Sequence, residues 1–428
     1  MLSPQLRLVT GDWHDSKNVL MKIGENGSNS LRVLHSFPHR LGMSRICTTA
    51  WHEIDSAVEA GAEMLVMAGD SVRSFNRPIR LQKTLAWGKI RLPYRILGTR
   101  RMCILHDFIV ARRLPALRES IDIIHAWPLA ALRTIRVAKR LGIPVALERC
   151  NAHTRFAYEV VQNECNRIGV PLPPGHEHAF NATILAHEEK EYAEADALLC
   201  PSDFTARTFV DQGFAAERLV RFIYGVDEKK FYPSHRPRDS KGGLTMIFVG
   251  VCAVRKGLHF ALEAWLKSPI SKNGRFLIAG DFIPAYKEKL APMLSHPSVE
   301  VLGHRNDIPE LMRECDLFVL PTIEEGFGLV CTEAMASGCV PLVSNACTDL
   351  CQNGKNALVH TPGDVEALTR HMTIVHFDRA LLAKLRAEGI GILPEITWTA
   401  AGRTLLAAYR ATIELSRRRR LQFAPALT

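Results

Sequence analysis

The sequence has 428 residues, which at about 150 residues per domain corresponds to two or three domains and excludes a single small one. Hydrophobic residues make up 47%, charged residues 23%, and Gly and Pro number 28 and 23, an ordinary globular profile that sets aside disordered and collagen-like classes. The balance of 54 Lys and Arg against 44 Asp and Glu leaves +10, which admits a polyanionic partner such as nucleic acid, an anionic membrane or a phosphorylated substrate.

In chain order, short apolar runs alternate with amphipathic stretches, the pattern of parallel sheets covered by helices on both faces. Strands are expected at residues 31–34, 64–67, 121–125, 144–147, 197–200 and 220–223, with helices at 48–60 and at 130–141, the latter closed by Gly142. Residues 228–243 are polar, carry Pro233, Pro237, Gly242 and Gly243, and read as an interdomain linker. The alternation then restarts, with strands at 245–250, 275–280, 299–303, 317–321, 340–343 and 357–359 and helices at 258–266 and 308–315. A last helix, 399–420, ends in four arginines. The reading is α/β: two Rossmann-like, doubly wound halves, residues 1–233 and 234–404, facing a central cleft, with helix 405–428 returning to the first half. The first thirty residues match no usable pattern.

The 11 cysteines are scattered without a C-x-x-C pair, so neither a disulfide framework nor a zinc ribbon is expected, and a reducing cytoplasm fits. Cys347 and Cys351, four apart, read as small buried hydrophobes, since two further metal ligands are missing. No metal or cofactor is expected. The amino terminus carries Asp12 and Asp15 and has no apolar core of signal-peptide kind. The longest apolar run, 246–254, is far short of the roughly 18 residues of a spanning helix. A cytoplasmic protein, at most attached to a membrane surface, is expected.

The strongest chemical feature is the strand 316–321 running into Thr322-Ile323-Glu324-Glu325-Gly326-Phe327-Gly328-Leu329-Val330-Cys331-Thr332-Glu333. Glu325 and Glu333 stand on either side of a glycine-containing turn, one on a loop and one about a helical turn in. Gly326 and Gly328 let backbone N–H groups approach a ligand, and the helix end beyond them favours a phosphate. Carboxylates for vicinal hydroxyls beside amides for a pyrophosphate describe a sugar nucleotide. After the first strand of the same half, Arg255 and Lys256 precede Gly257 at a strand–helix junction, where two cations can neutralise a diphosphate and the charge on a leaving nucleotide.

These residues together resemble the retaining glycosyltransferases of family 4, which have GT-B architecture. The marks are Glu-x7-Glu at Glu325 and Glu333, the run 333–341, the Arg255/Lys256 pair, Tyr192 with Ala195-Asp196, Pro201-Ser202 and Tyr224-Gly225-Val226-Asp227. The resemblance implies transfer of a hexose from a UDP- or GDP-sugar to a sugar, lipid-linked or small-molecule acceptor, as in polysaccharide synthesis, with no metal. It implies that Glu325 contacts the donor sugar, Glu333 holds the ribose hydroxyls, and Arg255 and Lys256 bind the diphosphate. The amides of Phe327, Gly328, Leu329 and Val330 complete the donor cradle, and front-face attack follows, with the leaving phosphate taking the acceptor proton. It also makes His153 a candidate hydrogen-bond donor to the hexose, although a structural histidine fits that position too. The family's paired glycines after the first strand are missing; Gly42 is a single one. A non-hydrolysing epimerase and a non-catalytic nucleic-acid or membrane-binding protein are the competing readings.

Residues 71–118 hold 12 basic residues against one acid, Asp107, a balance of +11 that leaves −1 for the rest of the chain. With Phe75, Trp87, Tyr94 and Phe108 interleaved, and Arg100 and Arg101 adjacent, the segment reads as a surface for anionic lipid or a phosphorylated, lipid-linked acceptor, or as a solvated basic face. No helix-turn-helix, zinc-finger or RNA-recognition signature accompanies it, so nucleic acid is not expected.

Overall fold

A computed structural model describes residues 30–75, 77–88, 90–234 and 243–423. Residues 1–29, Asn76, Lys89, 235–242 of the expected linker and 424–428 of the expected returning helix lie outside the described residues.

The first half opens with β1 (Leu31–Leu41), α1 (Ile46–Glu59) and β2 (Ala62–Ser71). β1 is longer than its apolar run, because Ser36 and Phe37 and, past an irregularity at Pro38 and His39, Arg40 and Leu41 continue its pairing with β2. Gly42 ends it at φ 76, a left-handed turn where a Cβ would lie 2.4 Å from that of Arg73, so only glycine fits. Residues 71–118 fold into β3 (Arg80–Lys83), a hairpin of β4 (Ala86–Trp87) and β5 (Ile90–Arg91), the short α2 (Tyr94–Leu97) and α3 (Thr99–Leu117). There follow β6 (Ile123–Ala126), α4 (Leu132–Leu141), β7 (Val145–Glu148), α5 (Thr154–Ile168), α6 (Ala182–Glu194), β8 (Ala197–Cys200), α7 (Asp203–Val210) and β9 (Leu219–Arg221).

The second half runs β10 (Thr245–Val249), α8 (Leu258–Lys267), β11 (Arg275–Ala279), α9 (Pro284–Leu294), β12 (Val299–Gly303), α10 (Ile308–Glu314), β13 (Leu317–Leu320), α11 (Leu329–Ala336), β14 (Val340–Ser344), β15 (Leu358–His360), α12 (Val365–Phe377) and α13 (Arg379–Gly391). The two large sheets have the orders β3-β2-β1-β6-β7-β8-β9 and β12-β11-β10-β13-β14-β15, with every pairing parallel. Each order reverses at the sheet's first strand, between β1 and β6 and between β10 and β13. Strands such as β13 and β14 are buried at every position, which is why they read as unbroken apolar runs rather than alternating ones.

The last helix, α14 (Trp398–Phe423), starts earlier than its expected returning segment and packs on the first half. Gly402 makes the approach to α1 close enough that a Cβ would lie 2.2 Å from the Ser56 carbonyl oxygen. Val226 N–H donates to Ile396 O at 2.8 Å, Trp398 stacks on His52, and Tyr409 Oη meets His125 Nδ1 at 2.8 Å. Among the described residues no helix is long and apolar enough to cross a membrane.

Candidate functional site

Loops leaving the carboxyl ends of β10 and β13 meet at the second sheet's switch point, where ligands of doubly wound sheets bind. The β10 loop passes Arg255 and Lys256 and turns at Gly257, φ 68, where a Cβ would collide with the Pro321 carbonyl at 2.0 Å. Ile323 N–H and the Thr322 hydroxyl donate to Arg255 O at 2.9 and 2.8 Å, so the two loops are stitched together through backbone. On that frame Arg255 Nη1 lies 2.9 Å from Glu324 O, 3.3 Å from Glu324 Oε2 and 3.4 Å from Glu325 Oε1, and Lys256 Nζ pairs with Glu325 Oε2.

The electrostatics follow from this geometry. Burial drives the Glu325 carboxyl upward, but Lys256 and Arg255 outweigh it and hold the group below its ordinary value. Glu324, fully buried, is pushed up by burial and pulled down further by the Arg255 charge, the His178 hydrogen bond and the Ala152 N–H, to about 2. Burial likewise opposes the charge on Arg255, and Glu325 and Glu324 more than restore it. Two cations thus face two ionised carboxylates.

The turn that follows is held from the first half. A Cβ on Gly326 would fall 1.7 Å from the Cys150 carbonyl oxygen, and the hydroxyls of Ser202 and Thr205, at the start of α7, both donate to Gly326 O. Phe327 is buried with its ring edge-on to Tyr224 at 5.4 Å. Gly328, at φ 77, opens α11 with no side-chain cap, so the first-turn amides of Leu329 and Val330 have no capping side chain. Half-buried Glu333 lies one turn further on; burial lifts its carboxyl to about 7, with Lys230 opposing and Asp227 adding to the rise.

The structure therefore brings Glu325, Arg255, Lys256 and the turn Gly326, Phe327, Gly328 together, with Leu329, Val330 and Glu333 following on α11. It does not bring His153 to them as a polar group. His153 sits at the N-cap of α5, where its Nδ1 accepts from Arg155 N–H at 3.2 Å, and its ring is buried against Tyr192 and Phe209 at 5.3 and 4.9 Å. Burial, with Arg149 and Arg155 nearby, depresses it to about 4, so it is neutral. The structural-histidine alternative describes this placement. Gly42 serves the turn after β1, and Arg100 and Arg101 are exposed on the first turn of α3.

Sequence reasoning missed Glu324 and His178. Glu324 accepts from Ala152 N–H at 3.3 Å and stands 3.3 Å from His178 Nε2, tying two loops of the first half to the loop after β13. Two adjacent glutamates do not reveal in sequence which one turns inward, and His178 lies in a Pro-rich loop without periodicity. Further ties between the halves are Arg221 to Asp349 at 2.8 Å and Glu164 to His259 at 2.8 Å. Among the described residues one group, His35, Glu53 and His125, brings three metal-ligand-type atoms within 4.8 Å; both nitrogens of His125 already have partners in Tyr409 and Glu148.

Residues 243–376 match the family model described as glycosyl transferases group 1. The match covers most of the second half. A galactosyltransferase of Escherichia coli, described as a UDP-Gal:alpha-D-GlcNAc-diphosphoundecaprenol alpha-1,3-galactosyltransferase, is 42% identical over 265 residues, 58% of this chain and 62% of its own length. The sulfoquinovosyl transferase SQD2 of Arabidopsis thaliana is 26% identical over 275 residues, 60% of this chain and 50% of its own. The chain thus spans about half to three fifths of the length of these relatives. Anabaena HepE in complex with UDP superposes with a TM-score of 0.61 at 17% identity, over 88% of this chain and 98% of that one. Sucrose-phosphate synthase of Thermosynechococcus elongatus gives 0.61 at 16% identity, over 93% and 100%. The fold is therefore GT-B.

Proposed function

We propose that the chain is a retaining hexosyltransferase of family 4 type, moving a sugar from a UDP- or GDP-sugar to a lipid-linked or other sugar acceptor in polysaccharide or glycoconjugate synthesis. The observation that carries the reading is the meeting of Arg255 and Lys256 with Glu325 beside an uncapped helix start, on loops of the β10/β13 switch point. The Escherichia coli and Anabaena relatives, described with UDP-Gal and UDP, support a uridine donor.

The chemistry can be derived from this chain's own groups. The diphosphate takes the place beside Arg255 and Lys256 and the first-turn amides of α11, so the cations exchange part of their contact with Glu325 for phosphate. That exchange leaves Glu325 free to face the sugar, where positive charge builds at the anomeric carbon. The C1–O bond breaks as the acceptor oxygen attacks from the same face, and the leaving phosphate oxygen takes the acceptor proton. Two fixed cations supply the neutralisation that the leaving group needs, which supports a reaction independent of metal. Residues 1–233 form the acceptor half, with Gly42, Arg100 and Arg101 on its side, and residues 234–404 the donor half. The protein works in the cytoplasm, attached peripherally to a membrane through residues 71–118.

A thermal-shift panel of UDP, GDP, ADP and their sugars tests the donor class, since a ligand bound only by the native state raises apparent stability by mass action. Stabilisation by a uridine or guanosine diphosphate sugar is expected; no response to any of them removes the reading.

A further inference from the structure

Residues 71–118 are not used by the donor site, and their one acid is turned inward. The carboxylate of Asp107 is buried and accepts from Arg133 N–H and Thr134 N–H, both at 2.8 Å, at the start of α4. Asp70, just before the segment, is buried too and gathers Lys83 and Arg91 at 2.8 Å and Arg40 at 3.5 Å. Arg80, Arg100, Arg101 and Arg112 are exposed and have no acidic partner among the described residues.

Apolar groups stand exposed among these cations. Trp87 and Ile90 are paired across the hairpin and are 52% and 71% exposed, and Ile96 on the next turn is 79% exposed. On α3 the outward stripe is Arg101, Ile104, Phe108 and Arg112, while Met102, His106, Val110 and Leu114 face the core. β3 is the edge strand of its sheet, the hairpin follows it directly, and Arg113 on α3 donates to Gln82 on β3 at 2.5 Å, so helix and edge strand sit together at one end of the acceptor half. An aromatic and two isoleucines at the tips of short elements, ringed by unpaired arginines, match a bilayer interface: Trp settles at headgroup depth and arginine reaches phosphate while its stem stays in apolar surroundings.

We propose that residues 80–112 are the face by which this protein lies on an anionic bilayer, with Trp87, Ile90 and Ile96 inserted and Arg80, Arg100, Arg101 and Arg112 on lipid phosphates. The proposal deepens the peripheral-membrane reading of residues 71–118 and rests on it.

Sedimentation with extruded vesicles tests it, using phosphatidylcholine alone and phosphatidylcholine with about 30% phosphatidylglycerol at about 0.1 M salt. Binding is expected only with the anionic lipid and is expected to fall as salt rises. A cation near such a surface contributes roughly five-fold in affinity, so the quadruple Arg→Gln variant at 80, 100, 101 and 112 loses roughly 600-fold. Trp87→Ser with Ile90→Ser loses about ten-fold, and chain-brominated lipid quenches wild-type fluorescence more than that of Trp87→Phe. Equal binding to neutral vesicles, unchanged binding by both variants, or a face occupied instead by a second copy, seen as a dimer that the arginine variant dissociates, overturns the proposal. The donor-dependent thermal shift separates the two readings, since Trp87→Ser/Ile90→Ser is expected to keep it. Vesicle binding without any donor response removes the transferase and leaves the docking face; the reverse removes only the docking face.

Discussion

Glu333 offers a test in which two readouts move in opposite directions with pH. Burial holds its carboxyl at about 7 in the folded, ligand-free protein, against 4.5 for the ordinary group. A carboxyl raised by folding is protonated in the native state between those two values and ionised in the unfolded chain. Its contribution to stability is therefore fully present below about 4.5 and is lost as pH rises from there through about 7, by at most about 3 kcal/mol. Donor binding has the other sign. To accept from two ribose hydroxyls Glu333 must be ionised, roughly a tenth of molecules at pH 6 and nine tenths at pH 8, so donor affinity should rise roughly ten-fold across that interval. Calorimetry with a nucleotide sugar is the appropriate assay, because a diphosphate diester does not titrate in this window. Glu333→Gln should flatten both the affinity profile and this part of the melting profile. A wild-type donor affinity that is level from pH 6 to 8, or that falls together with the melting temperature, would refute the reasoning.

The other predictions rest on single contacts. Arg255→Ala and Glu325→Gln should each lower transfer from a labelled donor by about 100- to 1,000-fold, as loss of one fixed electrostatic contact does, and unchanged turnover would remove the site assignment. Gly328→Ala places a Cβ at φ 77, 3.3 Å from Cys331 Sγ, and should cost about 1–2 kcal/mol in denaturant titration; an unaltered midpoint would show that this turn is not strained. Gly402→Ala drives a methyl to 2.2 Å from the Ser56 carbonyl oxygen and should destabilise the protein by about 3 kcal/mol, visible as a lowered melting temperature; a neutral result would mean that α14 shifts freely on α1.

Parallel strands buried on both faces announce themselves as apolar runs, which is why the strands of the second half are legible in the sequence. The misses share a physical cause. In α3 the usual polarity is inverted: His106 and Asp107 face inward with hydrogen-bond partners, while Ile104 and Phe108 face out, so the helical period is blurred. α6 buries Glu191, whose carboxylate accepts from Leu129 N–H and Ala131 N–H at 2.7 and 2.9 Å, and Glu188, which pairs with buried Arg149 at 2.9 Å. A buried carboxylate that caps a neighbouring segment looks in sequence like a solvated one. For His153, capping geometry and three aromatic rings decide where the imidazole goes, and the rings are not local in sequence.

The switch point of the first sheet shows how the donor turn depends on that half. His35 on β1 stands in register with His125 on β6, and His125 Nε2 is 3.0 Å from Glu148 at the end of β7. Glu148 pairs in turn with the hydroxyl of Tyr224, whose ring packs against Phe327 in the donor turn. Burial lifts Glu148 to about 8 and depresses His125 to about 3, so at neutral pH the carboxyl holds a proton and the imidazole is neutral. The directions of the bonds then follow. Glu148 donates to His125 Nε2 and accepts from Tyr224, and His125 Nδ1–H donates to the Tyr409 oxygen on α14. His125, Glu148 and Tyr224 are thus paired without a net charge, which avoids the large desolvation cost of a buried ion pair, while loss of any one partner would strand a buried polar group at about 1–3 kcal/mol. The position of Phe327, and with it the turn that opens α11, is thereby tied to α14 and to the ends of β6 and β7, so the donor loop is shaped by elements from both halves of the chain.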